Sequence, residues 1–136
     1  MNEEVLNKYE EAIENLIKKY NGGYIGVDLD GTLAIHNEWM GELYIGAPIP
    51  KMVNRVKKWL SEGREVRIIT ARAEPLLETN EPDPHVIKAI EDWCLEHVGA
   101  KLMVTNQKTY GMIRLFDDRA IQVIPNTGEL VGKDPL

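Results

Sequence analysis

Asp28 and Asp30 stand two residues apart at the end of an apolar run, YIGVDL, and the chain turns at once on Gly31 and Thr32. Two carboxylates crowded at a strand end disfavour each other's ionised form, so keeping both points to a cationic partner. Other chemically capable groups follow apolar runs in the same way: Thr70 with Ala71 and Arg72, then Lys108, then the adjacent Asp117 and Asp118. In open α/β sheets ligands bind outside the carboxyl ends of the strands, so groups at those ends converge on one edge. Three or four carboxylates gathered there repel by several kcal/mol in a partly dry site. A divalent, oxygen-seeking cation relieves that repulsion. Mg²⁺ suits it, because it takes a few carboxylates and leaves other positions for water and phosphate oxygens. No cysteine or histidine cluster offers itself to zinc. Thr70 can donate to a phosphate oxygen, Lys108 can supply a point positive charge, and Gly31 permits a tight turn whose N–H groups form an anion nest. The set reads as a metal site that holds a phosphoryl group.

The elements that must position these groups are legible from periodicity. Val5, Leu6, Tyr9, Ala12, Ile13, Leu16, Ile17 and Tyr20 recur at helical spacing over residues 3–20, with Asn21-Gly22-Gly23 as the stop. YIGVDL (24–29) and EVRIIT (65–70) read as buried strands. The stretch 35–50, with two Gly and two Pro, reads as a structured loop that carries a small hairpin. Helices are expected over 51–63 and 85–99, separated by an acidic, proline-containing loop at 71–84. KLMVTN, MIRLFDD and AIQVIP read as three further short strands, and PNTGEL as a turn into an extended tail. Alternating strands and helices imply a mainly parallel sheet with right-handed crossovers. The expectation is one α/β domain over 1–136: an N-terminal amphipathic helix (1–22) that pads the sheet or binds a second copy, and a core (23–136) forming a Rossmann-like three-layer sandwich.

Composition bounds the function classes. At 136 residues with 43% hydrophobic and 28% charged residues, the chain can bury a core without staples and is not of disordered type. Cys94 is the single cysteine, which excludes an intrachain disulfide and any cysteine-cluster zinc site and fits a reducing cytosol. No apolar run approaches the roughly 20 residues of a membrane span. The acidic start MNEEVLNKYEE lacks signal-peptide character. A soluble cytoplasmic protein without membrane attachment is expected. The net charge of −6 argues against broad nucleic-acid binding, which is driven by phosphate neutralisation. Lys51, Arg55, Lys57 and Lys58 read as a solvated helix face.

DLDGT after an apolar strand, a Thr ending a second strand, a Lys, then Asp-Asp, in that order, resembles the four motifs of the haloacid dehalogenase (HAD) superfamily, over roughly residues 24–124. Compact spacing and FDDRAIQV are most similar to small, cap-poor, phage-type phosphatases and to polynucleotide 3′-phosphatase and deoxyribonucleotidase cores. The resemblance implies that Asp28 is a nucleophile forming an aspartyl-phosphate, and that Asp30 protonates the leaving oxygen and then activates water. It implies Mg²⁺ held by the Asp28 carboxylate, the Asp30 backbone carbonyl and Asp118, with Asp117 outside it. Thr70 and Lys108 would grip the phosphoryl group, with Lys101 as a substitute for Lys108, and Gly31 and Ala71 would line its cradle.

The gaps between motifs hold only short loops and single helices, which leaves minimal or no cap and an open site. His36, Trp39 and Tyr44 lie in the loop after the first motif, where aromatic rings could stack on a base or sugar. Arg72 and Arg119 either touch substrate or pair with nearby carboxylates. The expected activity is Mg²⁺-dependent hydrolysis of a phosphomonoester, with a nucleotide or nucleic-acid 3′-phosphate as substrate. A sugar phosphate, another small phosphomonoester or phosphotransfer to a different acceptor is the alternative within the class. A phospho-receiver module uses similar residues but places its acidic pair first, whereas Asp117-Asp118 comes last here. A non-catalytic phosphate-binding module on the same fold is a third reading, and a homo-oligomer a further expectation.

Overall fold

The computed structural model describes residues 3–19 and 22–136. In chain order it contains α1 (Glu3–Lys19), β1 (Tyr24–Val27), α2 (Pro50–Ser61), β2 (Glu65–Ile69), a 3₁₀ turn (Ala71–Ala73), α3 (Pro84–His97), β3 (Met103–Thr105) and β4 (Met112–Phe116). The strands form one sheet in the order β3-β2-β1-β4, and all three pairings are parallel. The protein is α/β, an all-parallel sheet flanked by helices, consistent with a Rossmann-like three-layer sandwich. The expected helix residue Tyr20 and stop residue Asn21 lie outside the described residues. No helix among the described residues is long and apolar enough to cross a membrane.

Local chemistry sets the helix ends. Glu3 and Glu4 open α1 while Lys18 and Lys19 close it, each complementing the helix dipole. α2 and α3 both start on proline, at Pro50 and Pro84, where the missing N–H costs nothing. Asp83 caps α3 by accepting the His85 N–H at 2.9 Å. Gly63, at φ 80°, takes the left-handed turn after α2.

Strand parity then builds the core. Ile25 and Val27 of β1 align with Val66 and Ile68 of β2. These side chains meet Val53 and Val56 of α2 and Val86, Ile90, Trp93 and Cys94 of α3 in one buried cluster. Each such large apolar side chain contributes about 1.5–3 kcal/mol when fully buried. Cys94 belongs to this packing, its thiol pushed up to about 12 by burial and by the Glu91 charge. β1 sits centrally, between β2 and β4. Its carboxyl end therefore opens between two neighbours, and that places Asp28.

Two expectations need correction. AIQVIP (120–125) is not a strand of the sheet. Ile121 and Val123 are exposed and Ile124 alone is buried. The segment instead folds back on itself through a single antiparallel bridge, Val123 to Leu130. Asn126 (φ 65°) and Gly128 (φ 76°) form the turn between them. The 35–50 loop likewise carries no hairpin strands. One bridge, Ala34 to Pro48, closes it, with the Ile35 N–H donating to the Ala47 carbonyl at 2.8 Å.

Ile90 is fully buried between α3 and the sheet. Ile90→Ala is expected to lower unfolding free energy by about 2–5 kcal/mol, read as a lower urea midpoint with an unchanged m-value.

Candidate active site

β1 ends at Val27, but its hydrogen-bond ladder runs one residue further: the Asp28 N–H donates to the Phe116 carbonyl at 2.8 Å. That bond fixes Asp28 beside the end of β4, one residue before Asp117. The chain then winds around the Leu29 carbonyl, which accepts the N–H groups of Leu33 and Ala34, both at 2.9 Å. Leu29 and Leu33 are fully buried, which anchors the turn. Gly31 sits at φ 87°, and a Cβ there would come within 2.5 Å of Asp118 Oδ2. Both the conformation and the close approach require glycine.

Oxygens of Asp28, Asp117 and Asp118 lie within 4.8 Å of one another. Between two of them sits buried Thr32, its Oγ1 3.3 Å from Asp28 Oδ2 and 3.2 Å from Asp118 Oδ1. The single hydroxyl proton serves one carboxylate at a time, and the same oxygen accepts the Asp118 N–H at 3.0 Å. Asp117 Oδ1 accepts the Arg119 N–H at 2.7 Å. Burial pushes Asp28 up to about 7, reinforced by its hydrogen bond with Asp118 and by the charges of Asp117 and Asp118. Burial alone would raise Asp118 too, but hydrogen bonds from Asp28 and Thr32 outweigh it and hold Asp118 below the ordinary carboxylate value. The donor set is all oxygen, the kind that suits a hard divalent ion.

Asp30 faces a different partner. Arg72 grips it with both arms, Nε to Oδ2 at 2.7 Å and Nη2 to Oδ1 at 2.9 Å, and His36 Nδ1 lies 3.6 Å from Oδ1. Trp39 covers the Arg72 guanidinium at 4.9 Å and meets His36 edge-on. Thr70 is buried at the end of β2, where its Oγ1 accepts the Arg72 N–H at 3.2 Å and keeps its own proton to donate.

These groups line one cleft of about 900 Å³ at the carboxyl edge of the sheet. Asp28, Asp30, Gly31, His36, Trp39, Thr70, Ala71, Arg72, Asp117, Asp118 and Arg119 all contribute to its walls. Lys108 does not: it is exposed and outside the lining, and the cleft receives Asn106 from that loop instead. After β3 the chain is drawn toward the start of β1, because Tyr24 OH bonds Thr109 Oγ1 at 2.7 Å and accepts the Thr109 N–H at 3.1 Å. Lys101 is also elsewhere, paired with Glu91 at 3.2 Å. Tyr44 is exposed and outside the lining.

No protein-family model matches the chain, and no curated protein does. The fold has a solved neighbour. A conserved protein coded by a locus from Bacteroides thetaiotaomicron is similar to it, with a TM-score of 0.51 and 22% identity, over 76% of this chain and 82% of the neighbour. At that identity the likeness is one of fold.

Sequence reasoning passed over the roles of Thr32 and Asn106. The hydroxyl two residues beyond Asp30 was a visible signal for Thr32. Asn106 was masked by the stronger chemistry of Lys108.

A raised Asp28 sets a pH dependence. Between its ordinary value of 3.8 and its folded value of about 7, the folded chain holds a proton that the unfolded chain has lost. Its contribution to stability is therefore present below about pH 4 and is lost as pH rises through about 7. Without divalent ions, Asp28→Asn is expected to remove this decline and to be more stable than wild type above pH 7 in thermal melts across pH 4–9.

Proposed function

We propose that this protein is a Mg²⁺-dependent phosphomonoester hydrolase that works through an aspartyl-phosphate on Asp28. The observation that carries the reading is the convergence of Asp28, Asp117 and Asp118 within 4.8 Å, in a cleft that also receives the Thr70 hydroxyl. Asp28, Asp118 and Asp117 would hold the cation, which when bound neutralises the carboxylates and the charge on the phosphoryl oxygens.

In the first half-reaction an Asp28 oxygen attacks phosphorus and the ester P–O bond breaks. The step starts from ionised Asp28 and protonated Asp30, and the leaving oxygen takes its proton from Asp30. In the second, a water gives a proton to Asp30 and attacks phosphorus. The Asp28–phosphorus bond breaks, inorganic phosphate leaves, and both carboxyl groups return to their starting states. Thr70 would orient the phosphoryl oxygens through its hydroxyl, whereas the N–H groups of Gly31 and Thr32, expected as an anion nest, are taken by the Ala34 and Leu29 carbonyls and that of Arg72 by Thr70 Oγ1. Arg119, on the cleft wall beside Asp117, takes the role of nearby positive charge that Lys108 does not fill.

The substrate body is read from the other residues that line the cleft. Trp39 is 58% exposed and lines the cleft, which offers a stacking face for a base. A nucleotide, or a nucleic-acid 3′-phosphate, fits an open cleft of this kind. Glu42, Glu74 and Asp83, which also line the cleft, favour a single nucleotide over a long polyanion.

Phosphate release should be measured with and without Mg²⁺ over 5′- and 3′-nucleotides, 3′-phosphorylated oligonucleotides, sugar phosphates and an aryl phosphate. Turnover is expected to need Mg²⁺ and to fall by about 10⁴-fold or more in Asp28→Asn. Turnover that survives that substitution in contaminant-free protein would sink the mechanism. No turnover on any substrate would favour a binding role.

A further inference from the structure

One side chain in the cleft is engaged far beyond what its place in a short turn requires. Arg72 is only 5% exposed at its side chain, an unfavourable place for a cation unless it is fully paired. Its fork is used on three sides. Nε and Nη2 hold both oxygens of Asp30, at the end of β1. Nη1 donates to the Glu42 carbonyl at 2.7 Å, in the loop that follows. The Trp39 ring, also from that loop, lies over the guanidinium at 4.9 Å. The backbone of Arg72 is pinned in turn, its N–H donating to Thr70 Oγ1.

The loop so held buries little of its own. Trp39, Met40, Leu43 and Tyr44 are 58%, 56%, 62% and 53% exposed. Its two ends are tied down, by the Ile35–Ala47 backbone bond at one side and by Trp93 Nε1 donating to the Gly46 carbonyl at 3.0 Å on the other. Between those ties, Arg72 reaches the loop backbone.

We propose that Arg72 is a positioning residue that locks the 36–44 loop and the Asp30 carboxylate into one unit, so that a single guanidinium sets both the closed loop and the orientation of Asp30. The planar fork of arginine meets the two carboxylate oxygens side by side, a carbonyl beyond them and a ring over its face, a fixed geometry that the point charge of lysine does not reproduce. While the lock is made, both Asp30 oxygens accept from Arg72. Asp30 meets substrate or water through the lone pairs that Arg72 leaves free, and a proton taken there weakens the charge-assisted clamp and with it the hold on the loop. Opening of the cleft wall and release of Asp30 become one event. The catalytic consequence rests on the phosphatase reading; the lock itself does not.

The test has two arms, on the full chain. In hydrogen exchange followed by mass spectrometry, Arg72→Ala, Arg72→Lys and Asp30→Asn should each speed exchange in the 36–45 peptide by about tenfold or more, with α3 amides unchanged as the control for folding. In kinetics on a small aryl phosphate, Arg72→Lys should lower kcat by about 10–100-fold with KM nearly unchanged, and added guanidinium ion should restore part of the activity of Arg72→Ala. Should Arg72→Ala fail to fold, Arg72→Lys and Asp30→Asn decide the exchange arm. Loop exchange that matches wild type in these variants would overturn the lock. Faster loop exchange with an unchanged kcat in Arg72→Lys would overturn its positioning role. Wild-type protein without turnover would overturn the phosphatase reading, and the exchange arm would still decide the lock.

Discussion

Three carboxylates share the carboxyl edge of a parallel sheet, and most of the surrounding structure can be understood as the means of keeping them there. Asp28, Asp117 and Asp118 present oxygens within 4.8 Å of one another, at a separation where like charges repel strongly outside bulk water. Two devices contain that repulsion in the chain itself. Asp28 retains a proton, its carboxyl pushed up to about 7 by burial and by the neighbouring charges. Thr32 inserts a hydroxyl between Asp28 and Asp118 and also receives the Asp118 N–H. A divalent cation would replace the proton, which is why the arrangement reads as a metal site rather than as a polar turn.

The fold supplies the rigidity that such crowding needs. β1 is bonded on both sides, and its ladder continues through the Asp28 N–H to Phe116, so the ends of β1 and β4 are held at one level. Buried Leu29 and Leu33 anchor the turn that follows. Gly31 lets its backbone approach Asp118 where a Cβ would collide. The apolar layer under α2 and α3 thus acts on the chemistry indirectly, by fixing the backbone from which Asp28 projects.

Asp30 belongs to a second, charge-balanced layer. Arg72 neutralises it and ties it to the 36–44 loop, so the two aspartates of one motif have opposite surroundings: one crowded among anions, the other clamped by a cation. Neighbouring carboxylates with divergent environments are the usual means by which two chemically identical groups take different roles.

Much of this was legible beforehand, for reasons that can be named. α2, α3 and the strands at 24–27, 65–69 and 112–116 follow from local periodicity and from proline and glycine signals, which act over a few residues. The placement of Asp28, Thr70, Asp117 and Asp118 follows from the same source, since each directly ends an apolar run and a parallel sheet aligns such ends. AIQVIP misled because an apolar run records burial potential, whereas joining a sheet needs a free edge and a register. That segment found its partner across its own turn, at Leu130. Lys108 misled because it lies three residues past β3, beyond the reach of strand geometry, and the side-chain contacts of Tyr24 with Thr109 turn the chain away from the cleft. Arg72 was open to two readings for a similar reason: its partners, Asp30 and the Glu42 carbonyl, are 42 and 30 residues distant along the chain. The sequence by itself therefore determined the elements and which chemically capable residues end them, because each depends on spacing within a single segment. Only the tertiary structure decided which cation enters the cleft, which aspartate it neutralises and where the loop closes, because those depend on side chains that meet across segments.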